Sequence, residues 1–301
     1  MIIGLGTAQF GLDYGVSNTN GRLPRDEISR ILDRAGCVPS IQVIDTAPAY
    51  GESEKILGEF LVSGDRFRII SKTRHFRKKA LDLHDADLLE RDLDRSLNKL
   101  KQASIYGLLV HSADDLLAQN GTLLFKRMQQ LREAGFIKKI GVSVYAASQT
   151  VSILEQFEID LIELPFNLLD QQFMRNKLLE QMKARGIEIF VRSIFLQGLL
   201  LMEPGQVDDY FALLKPLLAK YHAELRNYGL TPLEGAIQFL LKYQDLFDCA
   251  LVGVCSESQL NQIIEATKQM KAPSFPYESF ACDVPQMINP SLWSLTEIGS
   301  R

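Results

Sequence analysis

The feature that most constrains this chain is an alternation. Short apolar, β-rich runs at residues 2–7, 41–45, 67–72, 105–111, 138–144, 159–164, 187–193 and 248–254 are separated by stretches of helical period. Strands joined through helices run parallel, and a parallel sheet needs helices over its faces. Eight such units are the number that closes a barrel, so the expected fold is α/β, a (β/α)8 TIM barrel in a single domain. The length of 301 residues fits, because such barrels run to roughly 250 residues or more as one domain.

The helical stretches announce themselves by spacing. Leu89, Leu93, Leu97 and Leu100 recur every three or four residues, while Glu90, Arg91, Asp94 and Lys101 take the other faces, the pattern of a helix with one stripe against a sheet. Similar stripes occur at residues 25–35, 53–61, 123–134, 147–157, 172–184 and 259–268. Gly135 and Gly186 stand where helix C-caps fall. The interval after residue 194 is too long for one helix and predicts two, at 207–228 and 232–243, the second capped by Thr231. Residues 272–301 are rich in Pro, Ser and aromatics without a period, which predicts a tail lying over one barrel end.

Composition narrows the function. Hydrophobic residues at 46% and charged residues at 23% describe a globular chain with a sizeable core rather than a disordered one. A net charge of -4 offers no basic field for nucleic acid or an anionic membrane, and the apolar runs fall short of the ~20 residues that cross a bilayer. The expected partner is a small molecule, and the expected assembly a monomer or weak homo-oligomer. Cys37, Cys249, Cys255 and Cys282 lack CxxC spacing and no signal-peptide pattern opens the chain, so reduced thiols and a cytoplasmic location are expected. His75, His84 and His222 have no ligand-like spacing, and no metal is expected.

In a barrel of this kind the chemistry sits at the carboxyl ends of the strands. There the second run ends in Asp45, the third in Lys72 and the fourth in His111, and the loop after Asp45 carries Tyr50. A phenol with an ordinary pKa near ~10 is a poor acid at neutral pH unless a cation stabilises its phenolate. Lys72 is the candidate cation, Asp45 its counter-charge and His111 an orienting group or second proton donor. Singly, each has a commonplace explanation; together they form a relay.

These residues resemble the aldo-keto reductase family over nearly the whole chain. The resemblance rests on Gly4-Leu5-Gly6-Thr7, Asp45-Thr46-Ala47-x-x-Tyr50-Gly51, Ser71-Lys72, Val110-His111 and Ile140-Gly141-Val142-Ser143. It implies a metal-free reduction of an aldehyde, ketone or sugar carbonyl, with catalytic Asp45, Tyr50, Lys72 and His111 and a nicotinamide cofactor. The implied cofactor contacts are Gly6, Thr7, Ser143, Glu163, Arg192, Ser193, Gly253, Val254, Ser256, Ser258, Gln259 and Gln262. Three positions depart from the family pattern: Val144 follows Ser143 in place of Asn, Glu163 replaces Gln, and Arg192 replaces a stacking aromatic, where its planar guanidinium could substitute. The segment Gly253 to Gln262 also lacks the cations that neutralise a 2′-phosphate. NADP therefore stays the expected cofactor, with NAD possible.

Two other readings compete. One makes Lys72 the Schiff-base nucleophile of a lyase; the other is a cofactor-binding module without catalysis. Phe10, Tyr14, Phe166, Phe195 and Trp293 are candidate pocket aromatics. Arg74, Arg77, Lys78 and Lys79 form a basic cluster after the third run, read as a solvated turn with anion steering as its alternative. Gly4-x-Gly6 lacks the third glycine of a phosphate loop and is read as close backbone approach to a ligand.

Overall fold

The computed structural model describes residues 1–18, 21–61 and 66–293. Eight parallel strands close into a barrel in sequence order, β1 (Ile2–Gly6), β2 (Ile41–Asp45), β3 (Arg68–Lys72), β4 (Ile105–Val110), β5 (Ile137–Ser143), β6 (Leu161–Pro165), β7 (Glu188–Arg192) and β8 (Cys249–Gly253). Each expected run holds a strand, with ends that differ by at most two residues.

The helices in chain order are α1 (Ala8–Gly11), α2 (Arg25–Gly36), α3 (Ser53–Phe60), α4 (Leu83–Leu100), α5 (Ala113–Leu117), α6 (Thr122–Glu133), α7 (Ala147–Gln156), α8 (Leu178–Ala184), α9 (Lys215–Asn227), α10 (Pro232–Lys242), α11 (Glu257–Ala266) and α12 (Pro285–Ile288). Gly135 and Gly186 take positive φ just beyond α6 and α8, as C-terminal caps do. Two expected helices start late. Residues 204–211 form short 3-10 turns and α9 opens only at Lys215, with Pro216 in its first turn, the one part of a helix where a missing N–H costs nothing. The stretch at 172–184 breaks at Asn176 and Lys177, both left-handed, so α8 keeps only its second half.

Two apolar layers result. The larger packs the helices on the outside of the barrel. The smaller fills the barrel itself, where Val43, Ile70, Leu109, Leu161, Phe190, Cys249 and Leu251 meet. Gly4 belongs to this inner plug: a Cβ there would stand 2.5 Å from Leu251 Cδ2. Of the two glycines only Gly6 lines the cavity above; Gly4 is a glycine because the plug leaves no room.

From Ala272 onward the chain packs on α9 and α10. Phe275 and Phe280 contact Tyr221, Tyr277 contacts Phe239, and Gln171 donates to Tyr277 O at 2.8 Å. The last eight residues of the expected tail, 294–301, lie outside the described residues. At the start of α10, Thr231 Oγ1 accepts from Glu234 N while the Glu234 carboxylate accepts from Thr231 N, a reciprocal cap. Thr231→Ala is expected to cost about 1 kcal/mol, measured as a lower urea midpoint at unchanged slope.

Candidate active site

Side chains alternate along a strand, so the residue two places beyond an inward-pointing one also points inward. Starting from the plug, that step leads from Val43 to Asp45, Ile70 to Lys72, Leu109 to His111, Leu161 to Glu163, Phe190 to Arg192 and Leu251 to Gly253, with Ser143 two beyond Gly141. A ring of polar groups thus sits directly on an apolar floor.

Tyr50 reaches this ring from the loop after β2. Thr7 donates to Asp45 O at 2.8 Å, Ser53 donates to Thr7 at 2.7 Å, and the Thr46 and Ser53 hydroxyls meet at 3.1 Å. The loop turns at Gly51 with φ +60° and lies hard against α1, where a Cβ on Gly11 would fall 1.8 Å from Tyr50 O. Tyr50 is therefore held by backbone packing on both sides.

Lys72 is 2% exposed and its ammonium donates to Asp45 Oδ1. It is also 3.2 Å from Glu163 Oε2 and 3.4 Å from Thr46 O. Glu163, 2% exposed, accepts from Ser143 at 3.2 Å and pairs with Arg192 Nε at 3.0 Å. Charges alternate along Asp45, Lys72, Glu163 and Arg192, the arrangement that buried ions require. Burial works against the Lys72 charge, but Asp45 and Glu163 outweigh it and raise its pKa. Burial also raises Asp45, helped by the neighbouring Glu163, and Lys72 only partly opposes this. Glu163 ends below its ordinary value because Lys72 and Arg192 together overcome burial.

The phenol behaves differently from expectation. Burial raises the pKa of Tyr50 more than Lys72 lowers it, and among the described residues no hydrogen bond joins its hydroxyl to Lys72. The ammonium lies 5.3 Å from the centre of the phenol ring. Burial, then the charges of Lys72 and Arg192 and the neighbouring His75, push His111 down to about 2, so the imidazole is neutral at physiological pH. His75 lies on it at 4.1 Å between ring centres.

A cavity of about 360 Å³ opens above the ring. It is lined by Tyr50, His111 and Asp45 at its floor and by Gly253, Gln259 and Gln262 at the β8 side, with Gly6, Thr7, Ser143, Glu163, Arg192 and Ser193 between. Lys72 sits behind this lining. Val254 is buried in the outer core, Ser256 Oγ accepts from Gln259 N as the cap of α11, and Ser258 is exposed, and none of these three implied contacts lines the cavity. Tyr14 and Phe195 line the cavity. Phe10 is buried in the core, Phe166 packs on Phe239 and Trp293 on Phe211, and none of these three lines it. In the basic cluster, Arg74 pairs with Asp92 and Lys78 with Asp85, both on α4.

Sequence reasoning missed Tyr145, whose ring lies 4.1 Å under the Arg192 guanidinium. It also missed the loop contact that borders the cavity, where Ser17 N donates to Gln197 O at 3.3 Å. Tyr145 was findable, standing two residues beyond Ser143; the loop contact had no signal.

The groups present suit a nicotinamide dinucleotide. A Cβ on Gly6 would meet only Val252 O, at 3.7 Å, so packing does not demand glycine there and its missing side chain leaves room at the cavity wall. His111 Nδ1 is buried without a partner among the described residues. Among those residues no cluster could hold a metal and no helix is long and apolar enough to cross a membrane.

A barrel with polar groups at the carboxyl ends of its strands is the architecture of many enzymes, and comparison with known proteins narrows it. The Aldo/keto reductase family model matches residues 2–275. The chain is 27% identical over 297 residues to the aldo-keto reductase YhdN of Bacillus subtilis (strain 168), covering 88% of this chain and 84% of that protein. It is also 27% identical over 303 residues to the NADH-specific methylglyoxal reductase of Escherichia coli (strain K12), covering 88% and 89%. The aldo-keto reductase AKR11C1 from Bacillus halodurans (holo form) superposes with a TM-score of 0.73 at 17% identity, covering 94% of this chain and 92% of that one, a likeness of fold. The chain belongs to the aldo/keto reductase family, and with it to the NAD(P)H-dependent oxidoreductases.

Removing the central cation leaves two buried carboxylates facing each other. Lys72→Met is expected to destabilise by about 3–5 kcal/mol at neutral pH. Carboxylates whose pKa is raised in the folded state bind protons there before they do when unfolded, so the deficit relative to wild type should shrink as pH falls from 7 to 5. Parallel urea titrations at the two pH values check this; a deficit independent of pH would contradict it.

Proposed function

We propose that this protein reduces the carbonyl of an aldehyde, ketone or sugar, with Tyr50 as the general acid and Asp45, Lys72 and His111 completing the catalytic group. The observation that supports it is the convergence of a phenol, a neutral imidazole and a carboxylate-bound ammonium at one cavity above an apolar floor. When bound, the nicotinamide supplies the hydride. The Tyr50 hydroxyl and the single N–H of neutral His111 hold and polarise the carbonyl oxygen, and Tyr50 releases its proton as that oxygen gains charge. Lys72 stabilises the phenolate left behind, and Asp45 keeps Lys72 charged. The lining residues Ser17, Asn18, Tyr14 and Gln197 favour a polar, sugar-like substrate over a bulky apolar one.

Ser143, Glu163, Arg192 and Tyr145 would hold the ring end of the cofactor, and Gly6, Gly253, Gln259 and Gln262 the remainder. Sequence placed NADP first; the surroundings of α11 favour NADH. Glu257 N, in the first turn of α11, donates to Glu27 Oε1 at 2.6 Å, and Cys255 N donates to Gln259 Oε1 at 2.7 Å. The helix end that could have received a phosphate thus already holds a carboxylate. A bacterial relative named as NADH-specific accords with this.

The lyase alternative fits less well. A Schiff-base lysine must be neutral and reach its substrate, whereas Lys72 is raised in pKa by two carboxylates and lies behind the cavity lining.

Tyr50→Phe is expected to lower turnover by several orders of magnitude while cofactor affinity, read by fluorescence titration, stays nearly unchanged. Retained turnover would remove the assigned acid. Wild type is expected to bind NADH more tightly than NADPH, and the Glu27→Gln, Gln259→Arg double variant to shift the ratio toward NADPH by about 1–2 kcal/mol. An unmoved ratio in both dissociation constants would place the adenosine end elsewhere.

A further inference from the structure

In this chain the ammonium of Lys72 is shared. It faces the carboxylates of Asp45 and Glu163 and the carbonyl of Thr46, while among the described residues no hydrogen bond joins it to the Tyr50 hydroxyl and it lies 5.3 Å from the centre of that ring. Glu163 is what makes the difference. It projects from β6, on the far side of the barrel from β3, and its second oxygen is fixed by Ser143 at 3.2 Å and by Arg192 at 3.0 Å. Arg192 is in turn held by Val144 O at 2.9 Å, by the Ser193 hydroxyl at 3.2 Å and by the Tyr145 ring. The carboxylate therefore cannot swing away from the lysine.

We propose that Glu163 is a positioning residue that sets the acidity of Tyr50: it draws the Lys72 ammonium across the barrel and off the phenol, and Arg192 limits the pull by neutralising part of its charge. This rests on the reading of Tyr50 as the acid, and it adds a control on when that acid ionises. An ammonium shared with a second carboxylate has less of its field left for a phenolate, and the carboxylate itself repels the phenolate. An amide at the same position would remove the repulsion and weaken the pull.

The groups that face the phenol are Asp45 from β2, Lys72 from β3, His111 from β4, Glu163 from β6, Arg192 from β7 and Tyr14 from the loop after β1. Burial raises the Tyr50 pKa first, Lys72 opposes it, and Asp45, Glu163 and Tyr14 add to the rise. Because His111 is neutral, Glu163 and Asp45 are the two anions of the set, and only Glu163 is tied to a second cation. The consequence is a phenol that stays protonated to unusually high pH and gives up its proton less readily than Lys72 alone would make it do.

The test is an alkaline ultraviolet-difference titration of the protein without cofactor, in four forms: wild type, Tyr50→Phe, Glu163→Gln and the double variant. Subtracting each Tyr50→Phe partner isolates the ionisation of Tyr50 without any turnover. In wild type it is expected above the ordinary value of ~10, and Glu163→Gln should lower it by about one pH unit or more. The basic limb of kcat for carbonyl reduction should move down by the same amount. A wild-type phenol ionising at or below ~10 would mean that Lys72 already serves the hydroxyl, and would overturn the inference even if Glu163→Gln failed to fold. So would a folded Glu163→Gln protein in which Tyr50 ionises as before. Failure of the acid assignment would show separately, as Tyr50→Phe protein that still turns over.

Discussion

An ammonium held between two carboxylates inside a barrel is the interaction on which the rest of the site depends. Lys72 can remain charged with almost no exposure only because Asp45 and Glu163 flank it, and Glu163 can remain charged only because Arg192 stands on its other side. The four side chains come from β2, β3, β6 and β7, so the charge chain crosses the barrel and is built only when all of those strands are in place. Folding and the electrostatics of the site are for this reason one problem.

The apolar plug gives the charges their strength. Fields between ions grow as the effective dielectric falls, and the layer beneath the ring consists of Val43, Ile70, Leu109, Leu161, Phe190, Cys249 and Leu251. The same layer pushes the pKa values of Tyr50 and Asp45 upward and that of His111 downward, with burial the leading cause in each. Burial thus supplies both the stability of the barrel and the unusual proton affinities at its mouth.

Much of this was legible from residue types and spacing. Eight strands and most of the outer helices follow from periodicity, because period 2 and period 3.6 record which face is buried. Asp45, Lys72 and His111 could be assigned because strand ends in a barrel share one rim. What escaped depends on contacts between distant segments. That Glu163 would pair with Lys72 follows from strands facing each other across the barrel, which no local pattern encodes. Glu27 bonding to the start of α11 joins residues far apart in the chain. The late start of α9 was written in Pro216, but an apolar run around it hid the signal. The direction of the Tyr50 shift was misjudged for a physical reason: a neighbouring cation is visible in sequence, whereas the depth at which a phenol is buried is not.

The closed floor of the barrel has one more consequence, for the traffic of protons. Beneath Lys72 and Asp45 the plug offers hydrocarbon and the thiol of Cys249, whose pKa burial raises, poor groups for relaying a proton toward the other end of the barrel. Under the proposed mechanism, a hydrogen ion given up at the ring would be replaced through the mouth of the cavity, by the passage that reactant and product would also use. Under that mechanism, a molecule seated in the mouth would stand between the charge cluster and the solvent that replenishes it.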